Sequence, residues 1–151
     1  MTEIVSDSEE ETRKLGAKLG KAAKLGDVVT LEGPLGSGKT TFVQGFARGA
    51  GFRGPVVSPS FALTRRYRVR GKTIHHLDLY RLAGRDLPNL GLEEYFQDPK
   101  AICIVEWPEV AGEEIPADHL RVRFEHASET SRRLSFNAAG SRSEKILKAI
   151  G

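Results

Sequence analysis

Eight consecutive residues, Gly33-Pro34-Leu35-Gly36-Ser37-Gly38-Lys39-Thr40, follow the spacing G-x-x-x-x-G-K-[ST], and the chemistry of that spacing is phosphate binding. Glycines let the backbone curl until successive N–H groups point into one concavity. A helix starting there adds unpaired donors and the positive end of its dipole. In this arrangement Gly33, Leu35, Gly36, Ser37, Gly38 and Thr41 surround the phosphates of a nucleoside triphosphate, and the Lys39 ammonium reaches the β and γ oxygens. The Thr40 hydroxyl is then a ligand for Mg2+, a hard ion that takes oxygen donors and keeps several waters. Such a loop also needs an acid at the end of a neighbouring strand to hold the metal. Glu106 closes the apolar run Ala101 to Val105 and fits that place, its plainer reading being a solvated carboxylate at a strand end. Asp78 is a second acid, suited to orienting an attacking water or touching the metal shell, or simply to capping a turn.

The motif requires a strand before it and a helix after it, and the pattern predicts both. Asp27 to Glu32 contains the β-branched run VVTL, typical of a buried parallel strand. Thr40 to Ala50 places Phe42, Val43, Phe46 and Ala47 on one helical face, with Gly51 as the stop. Upstream, Ser8 to Leu25 repeats apolar residues at three- and four-residue intervals, with Glu9 to Glu11 leading and lysines following. Ser6 or Ser8 is its cap and Gly26 its left-handed stop. Downstream, Phe61 to Asp78 reads as an antiparallel hairpin turning at Arg70-Gly71-Lys72. A short helix is expected at Gly91 to Phe96, a central strand at Ala101 to Val105, half-buried strands at Leu120 to Phe124 and Leu134 to Phe136, and a closing helix at Ser143 to Ile150. The expected fold is α/β: a P-loop nucleoside triphosphatase whose mixed, partly antiparallel sheet is flanked by helices.

The 151 residues, 39% hydrophobic and 28% charged, suit one domain, 1–151, with one well-filled core. A net charge of +3 is too weak a bias for a nucleic-acid coat protein. The single Cys103 excludes an internal disulfide framework, and the acidic start offers neither a signal peptide nor a membrane anchor, so a soluble, cytoplasmic protein is expected. No [NT]-K-x-D sequence is present, which favours adenine over guanine, and no arginine-rich lid suggests a small-molecule kinase.

The motifs taken together are more specific than a phosphate loop. Gly33-x-Leu35-Gly36-x-Gly38-Lys39-Thr40-Thr41-Phe42, Ser58-Pro59-Ser60-Phe61, His76-x-Asp78-Leu79-Tyr80-Arg81, Gly91-Leu92-Glu93-Glu94-Tyr95-Phe96 and Val105-Glu106-Trp107-Pro108 resemble, in order and spacing, the bacterial TsaE (YjeE) family over about Leu15 to Pro108. That family is the ATPase component of the machinery that installs threonylcarbamoyl on the adenosine beside the anticodon of certain tRNAs. The resemblance implies ATP and Mg2+ as ligands and the proteins TsaD and TsaB as partners. TsaD is the transferase, the ATPase supports its repeated turnover, and tRNA is met indirectly through the complex. It also implies that Lys39 and Thr40 are the phosphate and magnesium residues, Glu106 the second magnesium acid, and Asp78 an acid needed for hydrolysis. Ser58 to Phe61 matches a switch-like loop near the γ-phosphate, and Trp107 a tryptophan close to the nucleotide. Thr12 and Arg133 match positions near the nucleotide more loosely, whereas Arg132 reads as an exposed basic residue. Two departures stand out: Ser60 replaces a common Thr with its hydroxyl kept, and Pro34 replaces a frequent acid and stiffens the loop.

Two features keep alternative readings. Arg65, Arg66, Arg68, Arg70 and Lys72 form a basic hairpin that suits tRNA phosphates or an acidic partner, or that merely guards an edge strand against aggregation. Tyr95 and Phe96 suit a partner contact or the chain's own core. Two competing functions also follow from the residues: a small-molecule phosphotransferase using Asp78 as base, and an RNA-binding adaptor stabilised by ATP.

Overall fold

The computed structural model describes residues 1–57, 63–84 and 90–150. Its strands are β1 (Thr2–Ser6), β2 (Val28–Glu32), β3 (Thr64–Val69), β4 (Lys72–Asp78), β5 (Ala101–Glu106), β6 (Leu120–His126) and β7 (Arg132–Ala138). Its α-helices are α1 (Glu9–Ala22), α2 (Lys39–Gly49), α3 (Glu93–Phe96) and α4 (Ser141–Leu147). The strands form one sheet in the order β1-β7-β6-β2-β5-β4-β3. The four central strands run parallel; β3 pairs antiparallel at one edge, and at the other β7 pairs antiparallel with both β6 and β1. The mixed α/β sheet expected from the pattern is therefore present, with both edges antiparallel.

Alternation along the central strands gives the sheet two buried faces. Ile74, Ile102 and Ile104 point into a large core with Leu15 and Leu19 of α1, Phe42 and Phe46 of α2, and Phe124 and Phe136. Leu77 and Val105 point the other way, into a smaller core with Leu79, Leu92 and Ala111. Tyr95 and Phe96 pack against this second core, so α3 spends its rings at least partly on the chain itself. Phe42 meets Phe124 edge to face at 5.5 Å, and burying each ring fully is worth about 2 kcal/mol.

Helix α1 starts where Ser8 accepts from the Glu11 N–H, as its sequence indicates, but ends at Ala22. Gly26 takes its left-handed conformation (φ +92°) later, in the turn into β2. Helices α1 and α2 then pack backbone to backbone. A methyl group at Gly16 or Gly20 would collide with the carbonyls of Phe42 or Phe46, and one at Gly45 or Gly49 with those of Arg13 or Ala17. Strand β1 was not expected. Its five residues pair with β7 from Thr2↔Phe136 to Ser6↔Arg132, a partner 130 residues away that local pattern does not show. Helix α4 begins at Ser141, earlier than its expected start at Ser143. Asp118 supplies its cap, accepting from the N–H groups of Arg142 and Ser143 at 2.9 and 3.1 Å.

Candidate active site

The carboxyl ends of β2, β4 and β5 lie side by side, the place where open α/β sheets bind ligands. Register fixes who meets there: Asp78 is opposite Glu106, and Glu106 is opposite Leu31, two residues before Gly33. The loop from Gly33 runs into α2 with Gly36 and Gly38 at φ +76° and +103°, values that a side-chain-bearing residue rarely adopts. Gly38 is the N-cap of α2 and carries no side-chain cap, which leaves the first amides of the helix open toward the loop.

A cavity of about 310 Å³ opens above this loop. Leu35, Gly36, Gly38, Lys39, Thr40 and Thr41 line it from the loop and helix, and Asp78, Glu106, Tyr80 and Trp107 from the opposite side. Thr12 lines it too, hydrogen-bonded to Ser6 at 2.7 Å. Gly33 and Ser37 are not among its lining residues. Gly33 serves from behind, its carbonyl accepting from Lys39 Nζ at 2.7 Å, while the Ser37 side chain is buried.

Asp78 and Glu106 are buried on the same face of the sheet. Burial pushes the Asp78 carboxyl above the usual range, against the Tyr80 N–H that it accepts at 3.0 Å, and the neighbouring Glu106 pushes it further. Asp78 is thus both a turn cap and a wall of the cavity. Burial lowers the Lys39 ammonium, opposed by Glu106 and Asp78. Two buried acids facing one buried lysine make a site with capacity for further positive charge. Among the described residues no group of three or more His, Cys, Asp or Glu side chains is arranged to hold a metal ion. The oxygen donors that line the cavity, Thr40 and Glu106, suit magnesium, which is ordinarily held by one or two protein oxygens together with substrate phosphates.

Trp107 follows Glu106 in the left-handed region (φ +59°), an uncommon conformation for a bulky residue. It brings the indole beside Tyr80, ring centroids 4.8 Å apart, and over Lys39.

Arg133 and Arg132 are placed the other way round from the expectation. Arg133 is exposed and does not line the cavity, whereas Arg132 lines it and its guanidinium reaches the Gly36 carbonyl at 3.4 Å. Successive strand residues face opposite sides, so an offset of one along β7 reverses the outcome. Ser6, paired with Arg132, lines the cavity as well, and without β1 in view neither residue could be placed. Sequence reasoning also missed His76, whose Nε2 lies 2.6 Å from Glu106 Oε2. The loop Ser58 to Phe61 lies outside the described residues. Arg65, Arg66, Arg68 and Arg70 are exposed around the sheet-edge strand β3, with Tyr67 buried among them.

A family profile described as threonylcarbamoyl adenosine biosynthesis protein TsaE matches residues 6–134. The tRNA threonylcarbamoyladenosine biosynthesis protein TsaE of Bacillus subtilis is 38% identical over 141 residues, covering 93% of this chain and 88% of its own. The protein of the same description from Nostoc is 38% identical over 135 residues, covering 87% and 83%. The crystal structure of Bacillus subtilis YdiB superposes with a TM-score of 0.83 at 34% identity, covering 97% of this chain and 91% of that one. The matched span runs from Ser6 on β1 past the loop and both acids to the start of β7, and on that extent this chain belongs to the TsaE family of threonylcarbamoyl adenosine biosynthesis proteins.

Proposed function

We propose that this chain is a magnesium-dependent ATPase that acts as a nucleotide-dependent switch on the TsaD–TsaB pair in tRNA threonylcarbamoylation. The observation that carries the reading is the convergence of Lys39, Thr40, Asp78 and Glu106 on one cavity above a glycine loop that caps α2. Loop amides and the Lys39 ammonium stabilise charge that builds on the phosphates of ATP as the γ-phosphoryl group leaves. Thr40 and Glu106 are the residues that would hold Mg2+, which would supply positive charge against the phosphates. Asp78, its carboxyl raised by burial and by Glu106, is placed to position or accept a proton from the attacking water. Among the described residues no helix is long and apolar enough to cross a membrane.

The test is phosphate release from ATP by the purified chain, alone and with a TsaD–TsaB pair, using Glu106→Ala as control. Stimulation by the pair that disappears in Glu106→Ala, with nucleotide binding retained, is the expected result. Equal phosphate release with and without the pair would remove the switch, and transfer of phosphate to a small-molecule acceptor would replace hydrolysis with phosphotransfer.

A further inference from the structure

His76 is fully buried on β4, and neither the phosphate loop nor the two acids explain it. Ile74, Ile102 and Ile104 fill the same face of the neighbouring strand positions with hydrocarbon. An imidazole there must be desolvated, which is unfavourable unless both ring nitrogens find partners. They do: Nε2 lies 2.6 Å from Glu106 Oε2, and Nδ1 lies 2.9 Å from the Tyr67 hydroxyl. A carboxylate only accepts, so Nε2 carries the proton in the first pair. Tyr67 is anchored in turn: its hydroxyl, whose one proton is shared between Nδ1 and the Val57 carbonyl at 3.1 Å, sits on a ring packed against Phe52. The result is a buried chain from backbone to carboxylate, built across three strands.

A glutamate has three rotatable side-chain bonds, and on a flat strand end it has no reason to favour one orientation. With Oε2 taken by the imidazole, Oε1 is the oxygen left to face the cavity that Glu106 lines. Outer partners that fix the orientation of a metal-holding side chain typically matter by 10- to 100-fold in metal affinity or activity. We propose that His76 is a positioning residue for Glu106: it holds the carboxylate so that one oxygen faces the metal shell at the phosphate loop, while Tyr67 fixes the imidazole through its other nitrogen. This rests on the ATPase reading above.

The test is Mn2+ binding, followed by electron paramagnetic resonance, to the full chain saturated with a non-hydrolysable ATP analogue, alongside kcat and KM for ATP. His76→Ala should weaken Mn2+ binding about 10- to 100-fold and lower kcat, with KM for ATP changed less than about twofold. His76→Gln, whose amide can still donate to Glu106, should recover part of the loss. Tyr67→Phe keeps the ring and should give a smaller loss of the same kind, and it decides the matter if His76→Ala does not fold. Folded variants with wild-type Mn2+ affinity and kcat would overturn the proposal alone. A wild-type chain that neither binds Mn2+ with the analogue nor hydrolyses ATP would overturn the ATPase reading and this inference with it.

Discussion

The Lys39 ammonium lies 4.5 Å from the centroid of the Trp107 ring while donating to the Gly33 carbonyl at 2.7 Å. Both contacts occupy the charge that phosphate oxygens would claim. A cation over an indole face is worth on the order of 1 kcal/mol and polarises the ring. Because Trp107 is the only tryptophan, its emission reports this contact without interference. Titration with ATP is expected to change tryptophan fluorescence to saturation, and Lys39→Ala should remove most of the response. Binding established by calorimetry with unchanged emission would contradict this.

The helix pair gives a prediction of unusual sign. An alanine in place of a glycine in an exposed helix stabilises it by about 1 kcal/mol. At Gly20 the added methyl group meets the Phe46 carbonyl of the facing helix, so backbone must move. Gly20→Ala should therefore destabilise by about 2 to 3 kcal/mol, lowering Tm by roughly 5 to 10 °C in a calorimetric scan.

Asp27 is buried, and desolvation holds its carboxyl above the ordinary value despite the Lys24 N–H and the nearby Arg142. A carboxyl raised in the folded state binds its proton more tightly there than in the unfolded chain, so its charge opposes folding above the folded pKa. Asp27→Asn, which keeps an acceptor for the Lys24 N–H, should raise Tm at pH 7. The gain should shrink as pH falls through the raised folded value toward 3.8, and an unchanged or lower Tm at pH 7 would refute it.

Glu32, at the mouth of the phosphate loop, accepts two bonds from Arg121, each 2.9 Å long. The geometry is that of a strong fork, but the Arg121 side chain is 41% exposed and water screens the pair. Arg121→Ala should cost no more than about 1 kcal/mol, less in 1 M salt, as read from urea unfolding.

What could be read in the sequence was whatever chemistry is local in the chain. The loop from Gly33 to Thr40 declares itself within eight residues, and the apolar run before Glu106 identifies a central strand without knowledge of its neighbours. The remainder depends on pairings between distant segments. Strand β1 is only five residues long and acquires meaning beside β7. The bond between His76 and Glu106 spans 30 residues, and the spacing of neither motif encodes it. Arg132 and Arg133 differ only by which side of β7 they face, and that parity is set by the ladder to β1 and β6 rather than by either arginine.

The glycines between α1 and α2 also set how stiffly the cavity is framed. Interdigitated side chains would act as a cushion, changing rotamer when pushed, but carbonyls against bare Cα atoms have no such slack. The two helices therefore behave as one stiff bar. Thr12 of this pair is tied through its hydroxyl to Ser6 on β1 at 2.7 Å, and both line the cavity beside Lys39. The first strand of the chain is thereby fastened to the frame that holds the phosphate loop.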